Sequence, residues 1–276
     1  PLSSALLPNG LGFCACAPQR LASEPMQKHL YILTGASRGM GLAIAEQLLH
    51  PEHVLICISR NANQALATSA DQAQTSLRQW RHDLSDGQGP SERLGLWLTK
   101  QGPTPWASAT LINNAGMIPP IEPLSHAKPQ DLAQALRVGL EAPMQLCAAF
   151  LGATESWGMP RKVLNISSGL GRYAMASQAG YCAAKAGMDH FTRCMALDEA
   201  LRPHGAKVCS LAPGVIDTDM QVQLRGAASE AFPDQSKFLQ LKAQGQLSSP
   251  GQAAEQVLRF LARPDFGREP VADVRG

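Results

Sequence analysis

The sequence predicts an α/β fold, a doubly wound parallel sheet with helices on both faces, and three observations support this. Short apolar runs alternate with longer amphipathic runs from residue 29 onward, which is typical of repeated strand–helix units. Small polar or glycine-rich turns follow several of the apolar runs, at the carboxyl ends of strands where such sheets bind ligands. No repeat or second domain is evident, so residues 29–276 are expected to form one domain.

The composition limits the possible functions. The chain has 276 residues, is 45% hydrophobic and 17% charged, and has a net charge of +2. This balance, without a concentrated basic patch, argues against nucleic acid or an anionic membrane as a partner. No apolar run reaches the ~18 residues of a membrane-spanning helix. The seven cysteines form no CxxC pair, which indicates reduced thiols, a cytoplasmic location and no metal site.

Residues 1–28 differ from the rest of the chain. They contain four prolines and no helical or strand periodicity, so we expect a poorly ordered N-terminal extension. A targeting segment is the alternative, because residues 11–17 weakly resemble the core of a signal peptide. Pro8 and Gly10 interrupt the apolar region, however, and no basic residue occurs before Arg20.

A glycine-rich loop follows the first predicted strand, residues 30–33. The loop covers residues 34–41 with the spacing G-x-x-x-G-x-G, and an amphipathic helix over residues 42–49 comes next. Backbone N–H groups in such a loop can approach a pyrophosphate at the helix N-terminus. A glycine-rich turn without a ligand is the alternative, which the flanking strand and helix disfavour. The predicted cofactor-binding residues of this loop are Gly35, Ser37, Arg38, Gly39, Met40 and Gly41.

The second predicted strand, residues 54–58, ends in Ser59 and Arg60. In dinucleotide folds an acidic residue at this place binds the ribose 2′-hydroxyl, and this sequence has none there. Arg60 and Arg38 instead suit a 2′-phosphate, because a guanidinium group matches phosphate geometry. The sequence therefore predicts NADP(H) rather than NAD(H) as cofactor, with two solvated surface arginines as the alternative.

The middle of the chain continues the alternation. Residues 61–79 and 90–101 have the composition of outer helices, and residues 81–84 are predicted to end a third strand. A fourth strand over residues 110–112 runs into a small polar turn at residues 113–116. These two strand ends add further residues to the predicted cofactor site, namely Asp83 beside the adenine, Leu84, Asn113, Ala115 and Gly116.

The second half begins with a proline-rich loop over residues 117–129. Residues 131–151 are predicted to be largely helical, with interruptions at Gly139 and Pro143. The fifth strand, residues 162–166, leads to Ser168, and Ser177 is a candidate N-cap for the next helix. The remaining predicted elements are a helix to about residue 201, a strand at 207–211, a mobile, partly helical segment at 219–247, a helix from Ser249 to about residue 262, and a strand at 270–274.

Tyr181 and Lys185 are four residues apart in the predicted helix, so their side chains share one face. An ammonium group beside a phenol favours the phenolate and lowers a pKa that is otherwise near ~10. Such a tyrosine can exchange protons at neutral pH. The spacing also occurs by chance, but Ser168 stands at a strand end thirteen residues before Tyr181 and supplies a second polar group.

Taken in order, these motifs resemble the short-chain dehydrogenase/reductases over roughly residues 29–275. The run at residues 213–221 looks most like the sepiapterin reductase and benzil reductase-like branch of that family. The resemblance implies a single Rossmann-like domain and an NADP-dependent oxidoreductase that acts on CH–OH or C=O groups. It rests on the glycine loop, Asp83, the turn at residues 113–116, Ser168, Tyr181 with Lys185, and Pro213-Gly214 with Thr218.

The resemblance also implies roles for individual residues. Tyr181 would protonate the substrate oxygen, and Ser168 would hydrogen-bond that oxygen where negative charge develops. Lys185 would lower the pKa of Tyr181 and bind the nicotinamide ribose. Thr218 would bond the nicotinamide carboxamide. The remaining expected cofactor contacts are Asn113 and Ala115 on the adenosine side and the turn of Pro213, Gly214 and Val215.

The family's helix-paired dimers imply an oligomer here. Small residues on the Tyr181 helix would permit close approach of a second helix, which predicts a homodimer, with a tetramer as the alternative. The residues concerned are Ala183, Ala184, Ala186 and Gly187.

One position departs from the family pattern. An asparagine usually supports a water that links the lysine to solvent, and Gly139 stands at that place. Water could fill the space, the enzyme could be slow, or selection for catalysis could have relaxed. The first interpretation is preferred, because Ser168, Tyr181 and Lys185 are all present.

The predicted function is an NADPH-dependent carbonyl reductase with a small-molecule carbonyl substrate. The alternatives are a non-catalytic NADP(H)-binding regulatory protein and an alcohol dehydrogenase that works in the oxidative direction. Leu170, Tyr173 and Met175 suggest an apolar or aromatic ketone. A polar head group such as a pterin would need a carboxylate anchor, and the candidates, more typical of surface carboxylates, are Asp217, Asp219 and Asp273.

Overall fold

The computed structural model describes residues 27–275, in which seven parallel strands form one sheet with helices on both faces. The predicted fold class is therefore confirmed. The prediction for residues 1–28 lies outside the described residues, except that Lys28 belongs to the first strand. The strands are β1 Lys28–Thr34, β2 His53–Ser59, β3 Ser76–Arg81, β4 Trp106–Asn113, β5 Arg161–Ile166, β6 Lys207–Ala212 and β7 Val271–Asp273.

The strands lie in the order β3-β2-β1-β4-β5-β6-β7, and each pair is parallel. The chain order reverses between β1 and β4, which creates the crevice where open α/β sheets bind ligands. The helices are α1 Gly39–Gln47, α2 Gln64–Gln72, α3 Gln88–Gln101, α4 Pro129–Leu136, α5 Ala142–Ala153, α6 Ala179–Ala200, α7 Asp219–Arg225, α8 Gln235–Ala243 and α9 Pro250–Leu261.

Successive side chains of each strand point to opposite faces of the sheet. Both faces are therefore apolar, and helices pack against each of them. In β1, Leu30 and Ile32 join one apolar cluster with Phe150 of α5, and Leu33 joins the other with Val257 of α9. All five of these side chains are fully buried. Helix packing against both faces leaves the carboxyl ends of the strands open to a ligand.

Two local predictions were wrong, the helix over residues 61–79 and the Ser177 cap. The helix predicted at residues 61–79 ends at Gln72, and residues 76–81 form β3. Gln74 has a positive φ of 53°, a turn conformation that ends the helix. The predicted interruption at Gly139 is confirmed and is a π-helical turn, Arg137–Glu141, that joins α4 to α5. Pro143 lies in the first turn of α5, where a missing N–H is tolerated.

Ser177 does not cap α6. It has a φ of 62°, and its hydroxyl donates to the Ala231 carbonyl at 2.5 Å. Gln178 takes the N-cap position without a side-chain cap bond. Among the helices of residues 27–275, none combines the length and the apolar character needed to cross a membrane.

Candidate active site

The carboxyl ends of the strands open into a cleft of about 1030 Å³. The cleft is lined by almost all of the predicted site residues, although they come from distant parts of the chain. They are Gly35, Ser37, Arg38, Gly39, Met40, Gly41, Ser59, Arg60, Asp83, Leu84, Ala115, Gly116, Ser168, Tyr181, Lys185, Pro213, Gly214, Val215 and Thr218.

The Asn113 side chain is not among those that line the cleft, and its contact with the adenosine stays a prediction. It is buried, and its Nδ2 atom donates to Asn165 Oδ1 at 2.9 Å. Asn114, the next residue, faces the opposite way because successive strand side chains alternate. Its backbone N–H donates to Thr34 Oγ1 at 2.9 Å, and its Nδ2 atom donates to the Thr34 carbonyl at 3.0 Å. Asn114 and Thr34 thus hold the ends of β1 and β4 together.

The glycine loop forms a tight cradle at the N-terminus of α1. A Cβ atom at Gly41 would lie 2.1 Å from the Gly35 carbonyl oxygen, so only glycine fits there. Gly35 and Gly39 have φ values of 71° and 56°, which favour glycine. Arg38 takes the N-cap position, and within the described residues no side chain caps α1. The first N–H groups of α1 can therefore bind an anion, and the cradle fits the pyrophosphate of a dinucleotide.

Two arginines and two carboxylates lie at this end of the cleft. Arg38 and Arg60 are exposed, and Arg38 Nη1 donates to Asp219 Oδ2 at 2.8 Å. Ser59 is buried and accepts a hydrogen bond from the Ala36 backbone N–H at 2.9 Å, which ties the glycine loop to β2. The backbone N–H of Ser85 donates to Asp83 and lowers the pKa of that carboxyl group.

Tyr181 and Lys185 lie on the first turns of α6, and Ser168 follows the end of β5. Lys185 is buried, and its Nζ atom donates to the Ile166 carbonyl at 2.7 Å. Burial lowers the pKa of Lys185 to about 8, although the charge of Asp189 opposes this shift. With a pKa of about 8, the amine is still mainly in its ammonium form at neutral pH.

The pKa of Tyr181 lies above its ordinary value, because burial outweighs the opposing hydrogen bond to Ser168. The expected lowering by Lys185 is therefore not found in this structure. The Nζ atom of Lys185 is 5.8 Å from the centre of the Tyr181 ring and bonds the Ile166 carbonyl instead. The phenol remains protonated at neutral pH, as a proton donor must be.

Asp189 lies one helical turn after Lys185 and is buried. Its Oδ1 atom accepts a hydrogen bond from Ser210 Oγ at 2.6 Å, and Arg172 Nε is 3.4 Å from its Oδ2 atom. Arg172 belongs to the segment that follows Ser168. Asp189 therefore places a negative charge near Lys185 and fixes this segment against α6 and β6.

Gly139 has a packing role next to the lysine. It is buried in the π-helical turn, and a Cβ atom there would lie 3.0 Å from the Cβ atom of Ala184. Ala184 is the residue before Lys185. The close contact between this turn and α6 gives a physical reason for glycine at this position.

A lid, defined as residues 219–243, covers the substrate end of the cleft. Tyr181 packs against an apolar cluster that includes Ile118, Phe232 and Phe238. The side chain of Gln223 donates to the Ile118 carbonyl at 3.4 Å, which ties the lid to the loop after β4. The lid thus gives the tyrosine a largely apolar environment.

All three candidate carboxylate anchors are in ion pairs. Asp219 pairs with Arg38, and Asp273 pairs with Arg275. Asp217 lies 2.5 Å from Lys242 Nζ and 3.5 Å from Arg225 Nη2. These pairs favour the structural interpretation of the three carboxylates over a head-group anchor.

The sequence reasoning missed two glutamines of the cleft, Gln178 and Gln221, which are both buried. Gln178 stands three residues before Tyr181, and this short spacing could have identified it as a cleft residue from the sequence. Gln221 lies in the lid helix α7 and had no comparable signal.

The described cysteines, residues 57, 147, 182, 194 and 209, are all free thiols. Burial raises the pKa of Cys57, Cys147 and Cys209 to about 12. Within residues 27–275, no three His, Cys, Asp or Glu side chains are arranged to hold a metal ion.

Comparisons with known proteins agree with this geometry. A family model described as short chain dehydrogenase matches residues 29–228. The chain is 35% identical over 235 residues to a benzil reductase ((S)-benzoin forming) of Bacillus cereus, with 85% of this chain and 94% of the relative covered. It is 31% identical over 245 residues to the sepiapterin reductase of Meriones unguiculatus, with 85% and 92% covered. A crystal structure of a short-chain dehydrogenase/reductase from Burkholderia vietnamiensis has a TM-score of 0.61 and 32% identity, with 91% of this chain and 99% of that chain covered.

Proposed function

The chain belongs to the short-chain dehydrogenase/reductase family of nicotinamide-dependent oxidoreductases, and from this premise we propose that it is an NADPH-dependent carbonyl reductase. One observation carries the proposal. Ser168, Tyr181 and Lys185 line the same cleft as the glycine cradle of α1. A proton donor, a hydrogen-bonding hydroxyl and a dinucleotide site therefore share one space.

The side chains support reduction in the following way. The Tyr181 hydroxyl donates its proton to the substrate oxygen, and the Ser168 hydroxyl hydrogen-bonds that oxygen as it becomes negative. Lys185, whose Nζ atom bonds the Ile166 carbonyl in this structure, is the cation that would stabilise the phenolate that Tyr181 leaves behind. The nicotinamide, when bound, supplies the hydride. The Tyr181 phenol is protonated at neutral pH, which is the form that carbonyl reduction requires.

The residues of the cleft suit NADP(H). The cradle of residues 35–41 would hold the pyrophosphate, and the exposed Arg38 and Arg60 would hold the 2′-phosphate. Asp83 and Ala115 would border the adenosine, and Thr218 would bond the carboxamide. Arg38 would exchange its Asp219 partner for the phosphate.

The substrate is proposed to be an apolar or aromatic ketone or diketone, or a pterin-like carbonyl compound. Met175 and Tyr181 pack with the phenylalanines of the lid, which gives the substrate end an apolar wall. The benzil and sepiapterin reductases among the relatives act on carbonyl compounds, which supports the same reaction class.

The decisive experiment is steady-state kinetics with NADPH or NADH and a panel of ketones, diketones, quinones and pterins. We expect consumption of NADPH in preference to NADH with at least one carbonyl substrate, and its loss in the Tyr181→Phe variant. Cofactor binding without any consumption, unchanged by Tyr181→Phe, would instead support a non-catalytic NADP(H)-binding protein.

We also propose a homodimer that pairs α5 and α6 with their copies. Met144 of α5 is 46% exposed, and Leu197 of α6 is 71% exposed. Ala183 and Ala186 on α6 are small and exposed, which permits close helix approach. Light scattering at micromolar concentration tests this, and a monomer contradicts it.

The free thiols support a cytoplasmic location, which cell fractionation tests.

A further inference from the structure

Asp189 is a buried carboxylate one helical turn beyond Lys185. It is 1% exposed and stands four residues after the lysine on α6, so the two side chains share one face of the helix. A buried charge is costly unless neighbouring groups compensate it. The groups that contact this carboxylate therefore show what it holds in place.

Four parts of the fold meet at this carboxylate. From β6, the buried Ser210 hydroxyl donates to Asp189 Oδ1 at 2.6 Å. From the turn that follows Ser168, Arg172 Nε lies 3.4 Å from Asp189 Oδ2. The Nη2 atom of the same arginine donates to the Ala272 carbonyl of β7 at 3.1 Å. The ion pair therefore joins the turn to α6 and to the last two strands of the sheet.

The turn also lies directly on the helical turn from Lys185 to Asp189. A Cβ atom at Gly171 would lie 2.8 Å from Asp189 Oδ2 and 2.9 Å from the Lys185 carbonyl oxygen, so no larger residue fits there. Within the same turn, Ser168 Oγ accepts a hydrogen bond from the Leu170 backbone N–H at 3.2 Å. The position of the Ser168 hydroxyl relative to Lys185 therefore depends on this contact.

Asp189 acts on Lys185 through its charge as well. Among the described residues, its charge is the one that raises the pKa of the lysine, against the lowering to about 8 by burial. The other titratable or charged groups around the two side chains come from α6, the turn, β6 and β7, and they are Tyr181, Arg172, Cys209, Asp273 and Arg275. The burial of Lys185 makes its ammonium form sensitive to this one carboxylate.

We propose that Asp189 is a positioning residue of the reductase reaction. Its carboxylate keeps Lys185 in the ammonium form and, through Arg172, fixes the turn that follows Ser168 against α6. Neither Asp189 nor Arg172 lines the cleft, so both act through the side chains that do. The inference rests on the proposed reductase function, because that function gives the ammonium group and the Ser168 hydroxyl their tasks.

The charge is tested by titrating Lys185 itself. NMR of protein with isotope-labelled lysine side chains gives the titration midpoint, and the signal missing from Lys185→Met assigns it. Asp189→Asn keeps an oxygen for the Ser210 hydroxyl but removes the charge, so the midpoint should fall by about one pH unit. Arg172→Met removes the cation and leaves the carboxylate, so the midpoint should rise. Asp198→Asn makes the same change at an exposed aspartate of α6 and should leave the midpoint unchanged.

Reductase kinetics test the positioning. The pH at which kcat/KM falls on the basic side should move with the Lys185 midpoint, down in Asp189→Asn and up in Arg172→Met. Both variants should also lower kcat at neutral pH by about tenfold, because the turn that follows Ser168 is released from α6. Arg172→Lys keeps the positive charge and should recover part of this loss.

A Lys185 midpoint that is the same in Asp189→Asn and in the wild type contradicts the inference and leaves Asp189 a structural role alone. The same downward shift in Asp189→Asn and Arg172→Met also contradicts it, since that result would report looser packing. If thermal unfolding shows that Asp189→Asn does not fold, Arg172→Met decides. An upward shift then supports the inference, and an unchanged or lower midpoint contradicts it.

The two readouts separate this inference from the proposed function. No turnover of any carbonyl with NADPH or NADH contradicts the proposed function, on which the inference rests. Turnover with unshifted Lys185 midpoints contradicts the inference alone.

Discussion

The two ends of the cleft are built differently. At the phosphate end, backbone groups of residues 35–41 form the cradle, and the charged side chains of Arg38 and Arg60 are exposed. At the substrate end, Lys185 and Gln178 are buried beneath the lid. Hydrated charges contribute little to stability, whereas buried polar groups affect it strongly. Substitutions of the two exposed arginines should therefore change cofactor affinity alone, and those of the buried side chains at the substrate end should change stability or chemistry.

The largest effect is expected for Tyr181→Phe, which removes the proton donor and little else. We expect kcat to fall by about 10³-fold, within the range of general acid catalysis. The dissociation constant for NADPH, measured by fluorescence titration, should stay within about twofold. Equal losses in kcat and cofactor affinity would show that the two ends of the cleft do not act separately.

The Lys185→Met variant tests the effect of burial at the substrate end, through the pH dependence of the free energy of unfolding. Burial lowers the pKa of Lys185 from 10.5 to about 8, so between these values the unfolded chain binds a proton that the folded protein lacks. The lysine's contribution to the free energy of unfolding therefore rises with pH across this window, by up to roughly 3 kcal/mol. The free energy of unfolding of the variant should exceed that of the wild type by the largest amount below pH 8, and this difference should vanish by about pH 10.5.

Urea unfolding of both proteins from pH 7 to 10.5 measures this difference. The buried thiols of Cys57, Cys147 and Cys209, with pKa values raised to about 12, act in the opposite direction, since they lower stability as pH rises above their ordinary pKa of 9. They are present in both proteins and cancel in the comparison. Lys237→Met removes an exposed lysine of the cleft and is the matched control. If the free energies of unfolding of the wild type and Lys185→Met differed by the same amount at every pH, the prediction would be contradicted.

Replacing Arg38 and Arg60 together by alanine tests the phosphate end. We expect KM for NADPH to rise about 10- to 100-fold, because charge-assisted hydrogen bonds to the 2′-phosphate are lost. KM for NADH and the melting temperature should hardly change. Arg259→Ala, at an exposed ion pair of α9, controls for the loss of positive charge. A parallel rise for NADH would remove the argument for NADP(H) selectivity.

The smallest effect is expected at Gly139. A Cβ atom there would press on Ala184, so Gly139→Ala should lower the free energy of unfolding by about 1–2 kcal/mol. Adding Ala184→Gly should recover part of this loss if the contact is its cause. Gly139→Asn should likewise destabilise the protein, and a large gain in turnover would show that proton supply to Lys185 limits the native enzyme.

The glycine loop and the Tyr181–Lys185 pair could be predicted because each depends on short spacings within one loop or one helix. Ser168 could be predicted as a site residue because it follows the end of a predicted strand. The direction of the Asn113 side chain, which bonds Asn165, could not be predicted, because it depends on where the strand ends. The helix prediction at residues 61–79 failed because composition did not show the turn at Gln74.

The sequence by itself determined the fold class, the glycine cradle and the choice of candidate catalytic side chains, since periodicity and local spacing encode them. Only the tertiary structure decided the raised pKa of Tyr181, the contact of Gly139 with Ala184 and the ion pair of Arg172 with Asp189. These properties depend on burial and on contacts between residues distant in the chain. Packing across the sheet and the lid creates both, and no local pattern in the sequence records them.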